Sequence, residues 1–172
     1  MPQKIIIGNL ISLSAAVFLF AGSISKKARR VYLFGVFECI LLFVAQLFFG
    51  QGAAAISLLI AAFRNLLLVL RKYTRPWLLL VFFSTLILGV LFNTGGIVGF
   101  LPLFATLIFT VTSYKARGFL NVKLSLLLNL LLWCIYSFLI LDLSSTVINV
   151  TSIVLTLCSI YSHLKTKSAN RI

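Results

Sequence analysis

Seven continuous apolar runs, separated by short polar or glycine-containing breaks, account for nearly the whole chain. They extend from Ile5 to Gly22, Val31 to Gly50, Ala53 to Leu70, Trp77 to Phe92, Ile97 to Thr112, Leu120 to Leu141 and Ser145 to Ser162. A helix needs ~20 apolar residues to cross a bilayer, so each run predicts a transmembrane helix with ends uncertain by a few residues. A spanning β-barrel would show short segments of alternating polarity, and these runs do not alternate. The breaks carry ordinary turn residues: GQG at 50–52, TRP at 74–76, NTGG at 93–96 and LDLSS at 141–145. No soluble domain or long linker separates the runs. The expected class is an all-α polytopic membrane protein.

Composition agrees. Of 172 residues, 62% are hydrophobic and 10% charged, with a mean hydropathy of +1.17, which excludes a soluble domain. The net charge of +13 would suggest nucleic acid in a soluble chain, but here the cations are grouped between apolar runs. Lys26, Lys27, Arg29 and Arg30 follow the first run, and Arg71, Lys72 and Arg75 the third. Lys115, Arg117 and Lys123 surround the fifth-to-sixth connection, and Lys165, Lys167 and Arg171 follow the last run. Thirteen of fifteen cations thus lie at alternate connections, leaving Lys4 on the other side and Arg64 within a span. The positive-inside rule places the clusters in the cytoplasm, with the N-terminus outside and the C-terminus inside. Acidic lipid headgroups are the expected partners of the clusters, and nucleic acid is not. The cations around the first run lie mainly after it, the wrong side for a signal peptide, so it reads as an uncleaved helix.

Cys39, Cys134 and Cys158 fall within apolar runs at no metal-ligand spacing, and His163 is the single histidine. An odd number of buried cysteines argues for core residues rather than a disulfide framework. No acid/base pair, metal set or activated nucleophile can be assembled around these groups. No enzyme activity, cofactor or metal is therefore expected.

Runs one to three and five to seven share a layout: helix, basic connection, helix, tight turn, helix. The fourth run is left over. This predicts two parallel three-helix bundles, residues 1–73 and 97–172, joined by a linker helix in 74–96, with a site near midplane between them. Glu38 lies 13 residues before Gln51 and Arg64 lies 13 after it. Across an antiparallel hairpin rising ~1.5 Å per residue they reach similar depth, which predicts an intramembrane Glu38–Arg64 ion pair. The competing reading has Arg64 snorkelling toward the headgroups. In the second repeat Asn129 takes the place of Glu38, while Leu155 and Thr156 take those of Arg64 and Asn65.

Other polar residues within spans are Gln46 and Ser57 in the first hairpin, and Trp133, Tyr136 and Asn149 in the second. Amides inside spans usually bind neighbouring helices, at ~0.6–2 kcal/mol each. Clustered with an aromatic platform, Gln46, Ser57, Asn129, Trp133, Tyr136 and Asn149 would instead suit a small polar solute. Pro102, near the start of the fifth run, is either a hinge or a tolerated first-turn proline. The small residues of GQGAAA at 50–55 let the second and third helices approach closely.

Two stretches carry a family resemblance: QLFFGQGAAAISLLIAAFRNL at 46–66 and FLPLFATLIFTVTSYKARGF at 100–119, followed by the last hairpin. Through them the chain resembles the YgjV family of small bacterial inner-membrane proteins over most of its length. That family is similar to the SWEET and PQ-loop transporters, so the resemblance implies two three-helix bundles joined by a linker helix. Sugar-transporting members use a tryptophan on the sixth span and an asparagine on the seventh, where Trp133 and Asn149 are similar in placement. This chain departs from those members: no proline lies within its first run, no Pro-Gln dipeptide lies within a span, and Ser57 and Leu58 stand where an asparagine would face Asn149. The function expected is a small-solute transporter or facilitator working by alternating access. The alternative is a non-transporting sensor, receptor-like or assembly protein on the same fold. Oligomeric state is not legible.

Overall fold

The computed structural model describes residues 2–116, 118–140 and 142–169, and every predicted run within them contains a helix. The elements are α1 (Pro2–Ile24), α2 (Ala28–Phe49), α3 (Gly52–Val69), α4 (Arg75–Leu91), α5 (Phe100–Lys115), α6 (Phe119–Leu139) and α7 (Leu143–Ala169). Five of them, α1, α2, α3, α6 and α7, are long and apolar enough to cross a membrane. The other two are apolar but shorter, 17 residues in α4 and 16 in α5. At ~1.5 Å per residue they extend about 25 Å, short of a ~30 Å hydrocarbon core. Of the seven predicted spans, five are therefore supported by length and apolarity together. The shortfall in α5 arises because residues 97–99, expected in the span, form a turn before Phe100.

The helix ends follow from local chemistry. Gly50, at φ 71°, ends α2, and Gln51 N–H donates back to the Gln46 carbonyl at 3.0 Å, the Schellman arrangement that a left-handed glycine permits. The end of α3 has the same form, with Lys72 N–H on the Leu67 carbonyl at 2.9 Å, but Arg71 occupies the left-handed position at φ 57°. Asp142 caps α7 by accepting the Ser145 N–H on Oδ1 at 3.0 Å, relieving a first-turn donor. At that end of the molecule, Thr94 Oγ1 accepts from Gly52 N–H and donates to the Gly50 carbonyl, both at 3.2 Å. The α4–α5 connection is thereby fastened to the α2–α3 turn.

The helices pack in a ring. α1 lies on α2, α2 on α3, α3 on α5, α5 on α6, α6 on α7, and α7 on α1. α4 stands outside it, against α3 and α5. Each triplet is therefore an arc, with its middle helix between the other two. α3 is the most enclosed of the five long helices, with 61% of its span buried against 39% or less in the others. Its small face of Ala53, Ala54, Ala55, Ser57, Ala61 and Ala62 is buried, which is what close approach requires. Leu19, Val31, Tyr32, Val69, Phe109, Val122, Leu126 and Leu130 form a core drawn from five ring helices. Large apolar side chains such as Leu10, Leu13, Val17, Leu79, Leu80 and Phe83 are exposed on the outside, the surface a bilayer solvates.

Candidate functional site: a polar cavity inside the helix ring

The ring encloses a cavity of about 60 Å³ lined by residues of all six of its helices. At ~30 Å³ for the share of liquid volume that one water occupies, this holds on the order of two waters. The wall is mixed: Glu38, Gln46, Arg64, Asn65, Asn129 and Asn149 supply polar groups, and Tyr32, Phe109 and Trp133 supply rings. A second cavity, about 20 Å³, lies among α1, α2 and α7 and shares Leu19, Glu38, Leu42, Ser145 and Asn149 with the first.

Arg64 is 2% exposed and does not snorkel. Its guanidinium is held from two sides. Nε and Nη2 donate to Asn65 Oδ1 at 3.3 and 3.1 Å. Nη1 donates to the Thr106 carbonyl at 3.4 Å and to Thr110 Oγ1 at 3.1 Å, both on α5. The Phe109 ring lies under it, with 4.5 Å from Cζ to the centroid, inside cation–π range. The expected ion pair is corrected here: among the described residues Arg64 hydrogen-bonds to α3 and α5, and none of those bonds goes to Glu38. Counting residues from a turn matches depth on two helices, but it does not say which way a side chain points around its axis. Arg64 points at α5, and Glu38 meets it only across the cavity whose wall both form.

The remaining predicted residues divide. Gln46 lines the cavity and is buried, and its Oε1 has no hydrogen-bond partner among the described residues. Asn149 lines it too and donates from Nδ2 to Ser137 Oγ at 3.5 Å. Asn129 and Trp133 complete the set. Trp133 also packs against the Cys39, Leu58, Ala61 and Ala62 cluster of α2 and α3. Ser57 and Tyr136, expected as solute contacts, fall outside the lining. Ser57 is 0% and Tyr136 1% exposed, because each is packed between helices. The Tyr136 ring meets Trp133 edge-on at 5.6 Å, so it braces that indole from behind. Pro102 is the third residue of α5, and the Val98 carbonyl its missing N–H would have served accepts from Leu101 N–H at 3.1 Å. That is the first-turn placement, where a proline disturbs little.

Sequence reasoning missed three features. Lys123, grouped with the cytoplasmic cations, is 0% exposed. Its Nζ donates to the carbonyls of Gly22, at 3.0 Å, and Ser23 at the end of α1. The signal was its position, four residues inside the helical run that follows Phe119. Asn65 was passed over as the neighbour of Arg64, although it holds two of the guanidinium nitrogens and also donates to Cys39 Sγ at 3.8 Å. Thr106 and Thr110, one helical turn apart, carried the pattern of a polar stripe on α5.

An apolar exterior, five membrane-length helices and a buried polar interior define a polytopic helical membrane protein. A family model described as a bacterial inner membrane protein, Imp-YgjV, matches residues 6–167, and the chain belongs to that family. No curated protein and no solved structure matches it.

Proposed function

We propose that the protein is a small-solute transporter or facilitator whose triplets α1–α3 and α5–α7 rock about the central cavity. The observation that carries this reading is the cavity wall, to which both triplets contribute polar side chains. The packing order supports a SWEET-like parallel repeat, with α4 as the linker: α7 lies on α1 as α3 lies on α5. In such repeats the solute site falls between the halves. The grouped cations at one end are taken as cytoplasmic, with the N-terminus outside. The test uses Asn129→Cys and Asn149→Cys introduced singly into protein lacking Cys39, Cys134 and Cys158. Both thiols should react with a membrane-impermeant maleimide from either side in turn, and an uptake panel in proteoliposomes should show at least one solute carried. Labelling from one side alone, with no solute moved, would overturn transport.

A second reading, a ligand-binding sensor or assembly protein, draws support from the size of the cavity and from Arg64 and Lys123 bridging the triplets. It predicts ligand binding without accumulation.

A further inference from the structure

Among the described residues, Glu38 and Arg64 are the two charged side chains in the cavity wall, and they do not hydrogen-bond to each other. Arg64 is buried and Glu38 partly buried, and opposite charges held apart at membrane depth are costly unless something neutralises each locally. Arg64 has five N–H donors, and four hydrogen bonds engage it, one of them from Nη2. One Nη2 hydrogen is thus left for an occupant. On the Glu38 side, no described residue donates to the carboxylate. The acceptor Gln46 Oε1 is also without a partner, and the Trp133 ring offers a π face. One part of the cavity therefore presents acceptors and a negative charge, and another presents an unused guanidinium donor.

We infer that the cavity takes a small zwitterion, with its cationic group against Glu38 and its anionic group against Arg64. This rests on the reading of the cavity as a solute site and adds the solute's chemistry. A zwitterion neutralises both charges at once and leaves the site with no net charge. A simple cation or anion satisfies one and leaves the other exposed to a low dielectric. The volume sets an upper scale, because a cavity of about 60 Å³ has room for only the smallest solutes and not for a hexose.

The test compares glycine and alanine with acetate and methylammonium, each of which keeps one of the charges, and with glucose. The full-length protein in nanodiscs is titrated by thermal shift, and proteoliposomes are assayed for uptake of labelled glycine and alanine. Expected is saturable stabilisation by a zwitterion, with acetate and methylammonium weaker by about 30-fold or more, as when one partner of a desolvated charge pair is lost. Glu38→Gln should weaken zwitterion binding by a similar factor and strengthen the acetate response, because acetate alone then neutralises the site. If neither amino acid binds more tightly than the single-charge analogues, the inference is overturned, whether or not Glu38→Gln folds. That result would mean that water alone bridges the two groups. Zwitterion binding without uptake upholds the inference and overturns the transport reading. Uptake of glucose without competition by glycine or alanine does the reverse.

Discussion

The ammonium of Lys123 in α6 lies 3.0 Å from the carbonyl oxygen of Gly22 in the last turn of α1. A C-terminal helix turn has carbonyls without partners and a partial negative charge, and a cation there answers both. The contact joins the first triplet to the second where the Phe119 ring also lies close, 5.6 Å from Nζ. Arg64 performs the same service on the opposite seam, from α3 to α5. Each of these buried cations thus links one triplet to the other.

Lys123→Met keeps the stem and removes the charge. It should lower stability by about 2–3 kcal/mol, the scale of charge-assisted hydrogen bonds lost from a buried site. The midpoint of thermal unfolding in nanodiscs, followed by tryptophan fluorescence, reads this out. An unchanged midpoint would mean that the Gly22 and Ser23 carbonyls need no capping.

Arg64 provides a double-mutant comparison. Paired with Thr110→Val, Arg64→Met should show a coupling of about 1 kcal/mol, because the two side chains share a hydrogen bond. Paired with Glu38→Gln in the same unfolding assay, the coupling should be smaller, since only the cavity joins them. A larger coupling to Glu38 than to Thr110 would restore the direct ion pair. Arg64→Lys should not recover the wild-type value, because an ammonium lacks the planar fork that grips Asn65 and α5 together.

Gly35 on α2 faces the Asn65 amide so closely that an added Cβ would stand 2.7 Å from Nδ2. Gly35→Ala should push Asn65 off the guanidinium and destabilise the protein by about 1–3 kcal/mol, as overpacking does. The same midpoint measurement checks it. Combining it with Asn65→Ala should recover part of the loss, because the obstructing amide is gone.

Arg71 ends α3 at φ 57°, a conformation that costs a residue with a Cβ about 1 kcal/mol. Arg71→Gly should therefore raise the unfolding midpoint slightly, against the usual direction of surface substitutions. Asparagine, which tolerates the same region, should fall between. A lowered midpoint would show that the Arg71 side chain contributes more than its backbone strain removes.

Elements and their order were legible because length and apolarity decide them: each of the seven runs contains a helix, and the glycine at position 50 ends one where expected. Azimuth was not. A helix solvated by lipid outside and by apolar neighbours inside is hydrophobic all round, so no polar face marks which side is in. Depth counted from a turn therefore suggested Glu38 for Arg64, while the partners found were Asn65, Thr106 and Thr110. The same blindness put Ser57 and Tyr136 toward the cavity and left Lys123 among loop cations. Gln46, Asn129, Trp133 and Asn149 do line the cavity, since a polar or amphipathic group inside a span has few other places to turn. The length of α5 was misjudged because Ile97 and Val98 are apolar, yet the glycines around them favour a turn.

The contact between α7 and α1 has a bearing on biogenesis. A chain inserted into the bilayer from its N-terminus must hold α1 in position while five more helices arrive, because the ring has no closing partner until α7 is made. Lys123 arrives one helix earlier and can dock on α1 before that seam forms. Until then the polar interior lies open along the α1 side, where lipid, a membrane chaperone or an insertase has to shield it. The vulnerable interval in making this protein therefore falls late in synthesis, between the sixth helix and the seventh.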